Sequence, residues 1–196
     1  MKFLLTAINA KFIHSNPAIY SLRAGVGEKL QPYVELAEFT INESLESILE
    51  GIWKRQPKVI GFSCYIWNWK LIREILTELP KILPDTEIWL GGPEVTYDGP
   101  GLLSEFPQVT GIMVGEGEVT FREVLGQYGR EAESTGQSEQ QPEPDSIEQQ
   151  AADRTGTLAG KSVAERFGQI PSLCLASGYT APRELTDLTT LPFLYE

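Results

Sequence analysis

The sequence predicts an α/β protein: a doubly wound, five-stranded parallel sheet in the flavodoxin-like order 2-1-3-4-5, followed by a small β-hairpin. Three observations carry this. Short apolar runs alternate with amphipathic helical stretches five times within about 130 residues. The runs are rich in Val, Ile, Leu and Phe, as strands buried on both faces are. Between Val59 and Glu118 each run ends in a polar or glycine-rich turn, at 63–68, 91–97 and 115–118, so the loops gather on one sheet edge. The Rossmann order is the competitor, but the loop after the first strand has no G-x-G-x-x-G.

Residues 2–8 read as a buried first strand, and the loop Asn9–Asn16 follows. Pro17 opens a helix at its first turn. Ile19, Leu22, Val26 and Leu30 recur at helical spacing, and Pro32 is expected to end that helix. Residues 33–39 alternate like a second strand. Thr40 and Glu43 fit a capping box, with Asn42 as a rival cap, for a helix burying Leu45, Ile48, Leu49, Ile52 and Trp53. Strand three is Val59–Ser63. A helix over about 67–83 buries Leu71, Ile72, Ile75, Leu76, Leu79 and Ile82, and Pro80 is expected to kink or stop it. Strand four is Glu87–Leu90. Gly99, Pro100 and Gly101 mark a loop before a short helix at Leu102–Glu105. Strand five is Gly111–Val114, and a helix over about 119–128 completes the first domain, 1–130.

Residues 131–166 hold Gln, Glu, Ser, Pro and Asp with few large apolar side chains, and read as a disordered linker. Ile170–Ala176 and Tyr179–Leu185 flank Ser177-Gly178 as a hairpin connector within 167–196. The apolar tail to Tyr195 suggests that something normally follows, so the chain reads as a fragment or a product cut short.

The net charge of −11 argues against nucleic acid as the main partner. Seven acidic residues against Arg154 in 131–156 supply −6 of it, so the acidity says little about a site. No run of 18 apolar residues is present, and a cytoplasmic location is expected. Cys64 and Cys174 form neither a CxxC pair nor a CxxxCxxC cluster, which argues against a protein-held zinc or iron–sulfur centre in this chain.

Four loops could carry chemistry. Asn9–Asn16 holds the only histidine, His14, beside Lys11, Ser15 and Asn16, at the switch point between strands one and three. His14 reads either as a metal ligand or acid/base group, or more plainly as a loop side chain bonded to the backbone. Ser63, Cys64, Tyr65 and Trp67 combine small polar groups with flat aromatic walls, with Trp69 behind them; a helix cap and core aromatics are the alternative. Gly91, Gly92, Pro93 and Glu94 would let a bulky ligand approach the backbone, or simply make a turn. Gly115, Glu116 and Gly117, followed by Glu118, open a helix whose free N–H groups suit an anion or amide oxygen. The two glutamates argue against phosphate.

With these loops laid out, the chain resembles the N-terminal cobalamin-binding domain of B12-dependent radical SAM proteins. The resemblance covers about residues 1–130 and rests on INAKFIHSN (8–16), GFSCYIWN (61–68), LGGPEV (90–95) and GEGEVTF (115–121). It is nearest to an uncharacterised subfamily that adds a further C-terminal domain. It implies a corrinoid on the carboxyl edge of the sheet, its nucleotide tail in a slot beside the first loop. Ser63 and Tyr65 would line the tail, with Gly91 and Gly92 beside it and Gly115, Glu116 and Gly117 closing the pocket. The Asp-x-His-x-x-Gly motif of methyltransferase-type B12 domains is represented only by His14, so His14 is expected to be a pocket residue and not a cobalt ligand. No CxxxCxxC exists here. S-adenosylmethionine and a [4Fe-4S] cluster would therefore belong to an absent radical SAM domain, in cis or in trans, and this chain alone is not expected to be catalytic. The function implied is a cobalamin-binding module supporting methyl transfer. A binding-only remnant and a flavin- or nucleotide-binding flavodoxin-like domain are the alternatives.

Overall fold

A computed structural model describes residues 2–11, 15–136 and 161–185 of the chain. One sheet runs in the order β2-β1-β3-β4-β5-β6-β7. Strands β1 (Phe3–Asn9), β2 (Val34–Thr40), β3 (Val59–Ser63), β4 (Glu87–Gly91) and β5 (Val109–Met113) are parallel, in the flavodoxin-like order expected. The hairpin does not stand apart. Its strands β6 (Leu173–Leu175) and β7 (Gly178–Tyr179) extend the same sheet antiparallel from β5. Sequence periodicity sees a hairpin but not the edge it joins.

Each face of the sheet carries its own core. On one, Ile48 and Ile52 of α2 (Leu45–Trp53), Ile72, Ile75, Leu76 and Leu79 of α3 (Trp69–Ile82) and Leu103 of α4 (Gly99–Glu105) pack on Leu4, Ile8, Ile60, Phe62, Ile88 and Leu90. On the other, Ile19 of α1 (Pro17–Gly25), Phe121, Val124 and Tyr128 of α5 (Glu118–Gly136) and Phe167 of α6 (Val163–Phe167) cover Phe3, Leu5, Val59 and Trp89. Alternate strand residues feed the two cores because successive side chains point to opposite faces. Among the described residues no helix is long and apolar enough to cross a membrane.

Several elements differ from their sequence reading for identifiable reasons. Helix α1 stops at Gly25, well before Pro32, because Gly27 turns left-handed at φ +79° and its carbonyl accepts from Leu30 and Gln31. Helix α2 is capped by Ser44, whose hydroxyl accepts from the Ser47 N–H; Thr40 and Glu43 form only the return bond, Thr40 N–H to Glu43 Oε1. Trp53 is half exposed, not core, because one residue past Ile52 the helix has turned about 100° from its buried face. Ile82, at the end of α3, is likewise exposed while Leu83 turns inward.

Helix α3 begins at Trp69 and runs through Pro80 without stopping. Proline has no N–H for the Leu76 carbonyl, and Gln108 Nε2 donates to that oxygen instead, at 2.8 Å. Gly99–Gly101 form the first turn of α4, capped by Asp98, where a loop was expected.

The expected linker is ordered at both edges. Helix α5 continues to Gly136, and Ser162 and Glu165 make a capping box that opens α6. Residues 137–160 and 186–196, the bulk of the linker and the apolar tail, lie outside the described residues. What fixes α6 is Arg166. Its side chain is buried, and its guanidinium donates to both Glu87 oxygens at 3.0 Å and to Glu131 at 2.9–3.0 Å. It also lies over the Tyr128 and Phe167 rings. The two carboxylates hold Arg166 firmly charged despite its burial.

Candidate functional site

The strand registers build a trench on the face covered by α1 and α5. One row across the sheet is Leu5, Gly61, Trp89 and Gly111; the next is Ala7, Ser63, Gly91 and Met113. Five of these eight positions are Gly, Ala or Ser, so the sheet lacks bulk near its carboxyl edge. Ala18, Ile19 and Leu22 of α1 and residues 115–118 face that gap. The result is a cavity of about 470 Å³, mostly apolar, within the range of small-molecule sites. Trp89, completely buried, is among the residues that line it. The ring has room because Gly111 lies behind it: a Cβ there would stand 2.8 Å from Trp89 Cζ3.

Two buried amides shape the mouth. Asn68 Oδ1 accepts from the Tyr65 N–H at 2.8 Å, and its Nδ2 donates to the carbonyls of Ile8 and Ser63 at 3.0 and 2.9 Å. One side chain thus ties the β3–α3 loop to the end of β1. Asn68→Ala is expected to lower stability by about 2 kcal/mol, by stranding these groups. A urea midpoint that falls with an unchanged m-value would show it; an unshifted midpoint would refute it.

Asn16 caps α1 by accepting from the Ala18 N–H, and its Nδ2 donates to Ser63 Oγ at 3.3 Å. Glu38, on β2, holds both ends of the first loop. Its Oε1 accepts from Asn9 Nδ2 and the Asn16 N–H, and its Oε2 from the Tyr20 hydroxyl. Burial pushes the Glu38 carboxyl up, but the bonds from Tyr20, Asn9 and Asn16 outweigh it and hold the group below its ordinary 4.5. A depressed carboxyl stabilises the fold above the unfolded value and loses that effect as pH falls through the folded one. The Asn16 amide resonance is therefore expected to titrate below pH 4.5 and to stay flat in Glu38→Gln.

The adjacent glycines have different reasons. Gly92 has φ +111°, and a Cβ on it would stand 2.4 Å from the Cys64 carbonyl oxygen. Its freedom serves the turn itself. At Gly91 a Cβ would meet only Met113, at 3.8 Å, so the missing side chain leaves open cavity. Gly115, at φ +76°, has nothing near its absent Cβ.

Of the residues singled out in the sequence, Ser63, Tyr65, Gly91, Gly92, Pro93, Gly115, Glu116 and Gly117 come together on the cavity. Others do not line it. Cys64 is sealed in the opposite core, its thiol pushed up to about 12 by burial. Trp67 stacks on Tyr65, at 4.4 Å between ring centres, and is half exposed. Trp69 is partly buried against the core that holds Cys64 and carries Arg73 over its ring. Glu94 supports the turn, its N–H donating to the Cys64 carbonyl. Asn9 and Asn16 act through Glu38 and Ser63, as above. Lys11 and Ser15 are exposed, and His14 lies outside the described residues. Leu5, Gly61, Trp89, Met113 and the α1 residues were missed because within their elements they read as core. Glu118 also lines the cavity; its carboxylate accepts from the Ser21 hydroxyl at 2.8 Å, tying α5 to α1. Among the described residues no group of His, Cys, Asp and Glu could hold a metal ion.

The family model described as the B12 binding domain matches residues 4–125. A cobalamin-dependent radical SAM methyltransferase, TokK, of Streptomyces tokunonensis is 37% identical over 71 residues, 36% of this chain and 10% of that protein. Two solved structures share the fold. One is the apo cobalamin-dependent S-adenosylmethionine radical enzyme OxsB, with a TM-score of 0.62 and 14% identity over 96% of this chain and 23% of that one. The other is the radical S-adenosylmethionine methyltransferase TsrM from Kitasatospora setae, solved with cobalamin and a [4Fe-4S] cluster. Its TM-score is 0.51, with 17% identity over 95% of this chain and 30% of that one. The chain therefore spans at most a third of the length of these proteins.

Proposed function

The chain belongs to the B12-binding domain family, and from that membership we propose that its cavity receives the nucleotide tail of cobalamin, with the corrin ring at the sheet's carboxyl edge. The observation that carries this reading is the trench of small residues. Gly61, Ser63 and Gly91 leave a gap beneath α1 where a flat heterocycle fits, walled by Leu5, Ile19 and Trp89. The fit is chemical as well as steric. Ser63 Oγ accepts from Asn16, which leaves its O–H to donate to a ring nitrogen or a phosphate oxygen. Tyr65, braced by Trp67, offers an aromatic surface at the mouth.

When bound, cobalamin supplies a cobalt centre able to carry a methyl group. This chain's part is to bind and orient. Apolar walls keep water from the tail, Ser63 fixes its polar edge, and Asn68 and Glu38 hold the loops around it. Radical chemistry would need three cysteines in a CxxxCxxC, and the chain has two cysteines in all, both buried. We therefore assign S-adenosylmethionine and the iron–sulfur cluster to a radical SAM domain beyond this chain. The whole protein is taken to be a methyl-transferring enzyme, on the strength of its relatives' activities.

The test is direct. After incubation with hydroxocobalamin and desalting, the chain is expected to keep corrinoid absorbance at about one cobalt per chain. Parallel incubation with riboflavin phosphate is expected to leave it colourless. A chain that retains the flavin and not the corrinoid, or neither, overturns the reading.

A further inference from the structure

The wall of the cavity depends on a part of the chain that lies beyond the family-matched residues 4–125. Trp89 is one of the residues that line the cavity, and its ring packs against α6. Its ring meets Phe167 edge-on at 5.0 Å. Its indole Nε1–H donates to the Tyr128 hydroxyl at 2.9 Å, and that hydroxyl donates to Glu87 Oε2 at 2.6 Å. The same Glu87 oxygen accepts from Arg166 at 3.0 Å. An unbroken chain of hydrogen bonds thus joins the ring of a cavity-lining residue to a buried ion cluster. All its members are committed. The tyrosine oxygen accepts one bond and gives one, and the carboxylate is turned by the guanidinium fork, which also grips Glu131.

We propose that Arg166 is a positioning residue for the cavity: through Glu87 and Tyr128 it sets the orientation of Trp89. The segment 161–185 is then part of the cofactor site and not merely a connector. A planar guanidinium serves two carboxylates at fixed angles, which a lysine ammonium does not. Loss of that geometry lets Glu87 turn, and the Tyr128 hydroxyl and the indole follow it. Because Trp89 walls the cavity, a turned ring narrows the space for a flat ligand. This consequence for binding rests on the cobalamin reading; the placement of Trp89 does not.

The experiment reads the two separately. Trp89 is completely buried, Trp69 is partly buried, and Trp53 and Trp67 are about half exposed; of the four indole N–H signals, that of Trp89 is assigned in a nitrogen–proton spectrum by its loss in Trp89→Phe. Arg166→Lys keeps the charge and loses the fork. Tyr128→Phe breaks the chain in its middle while preserving the ring. Glu123→Gln removes only the ion pair to Arg183 in the same segment and serves as the control. The Trp89 N–H resonance is expected to move and to exchange faster with solvent in the first two variants and to stay in place in the third. The same two are expected to bind hydroxocobalamin about tenfold more weakly, equivalent to about 1.4 kcal/mol. An unmoved Trp89 signal in Tyr128→Phe and in whichever Arg166→Lys protein folds overturns the proposal. If the unaltered chain retains no corrinoid, the cobalamin reading falls, and the Trp89 signal still decides this one.

Discussion

Gly91→Leu is expected to weaken hydroxocobalamin retention by about 100-fold or more while leaving the fold intact. The position lines the cavity, and the nearest atoms to a new Cβ are Met113 Cβ and its carbonyl oxygen, both at 3.8 Å, an ordinary contact. The backbone therefore accepts the branch, and the branch fills the gap between Ser63 and Met113. The strand pairs of Gly91 use only its backbone, so the sheet is unaffected. Equilibrium dialysis against the corrinoid and a thermal melt check both halves. Undiminished binding would place the ligand elsewhere, and a collapsed melt would show that Gly91 serves the fold.

Gly92→Ala, one residue on, is expected to do the reverse and cost about 3–5 kcal/mol of stability. At φ +111° and ψ 170° the backbone occupies a region essentially reserved for glycine. The added methyl would also stand 2.4 Å from the Cys64 carbonyl oxygen and 3.0 Å from the Cys64 nitrogen, so it meets backbone and not a yielding side chain. That backbone is pinned, since the Cys64 N–H donates to the Gly91 carbonyl at 2.7 Å. The turn must open to admit the methyl, and the Glu94 bond to Cys64 goes with it. A melting point lowered by roughly 10 °C would accord with this in a chain of this size, and an unchanged one would refute it.

Those two glycines show what sequence reading can and cannot reach. Both stand in one Gly-Gly-Pro-Glu turn, and both read as places where a backbone comes close to something. Only the folded backbone tells that a side chain at Gly91 would enter the cavity while one at Gly92 would run into the Cys64 backbone. The strand order was legible, because apolar runs and helix spacing report local structure and connection rules limit the rest. The loops on the carboxyl edge were legible for the same reason. Trp89 and Gly61 were not, since a residue in a buried run looks like core until its neighbours across the sheet are known. Helix α6 carried a signal in Ser162 and Glu165, but a capping box at the end of a polar stretch is easily read as more of that stretch. Arg166 had no local signal at all, since its partners Glu87 and Glu131 are distant in sequence.

The strand order also sets a sequence of events in time. β3 takes the edge of β1 opposite β2, and from β4 onward each strand joins the free edge left by the one made before it, through β5 and β6 to β7. Nothing synthesised late has to be inserted between earlier strands, so assembly can follow the chain as it leaves the ribosome. One pause is built in. β6 follows β5 only after the whole of α5, the segment to residue 160 and α6, on the order of several seconds at ordinary rates of synthesis. During that interval the β5 edge is bare and the Trp89 ring lacks Phe167 against it. The nascent protein thus exposes a ladder of unpaired backbone groups that the finished one covers, and this is when it is most open to pairing with a neighbouring chain.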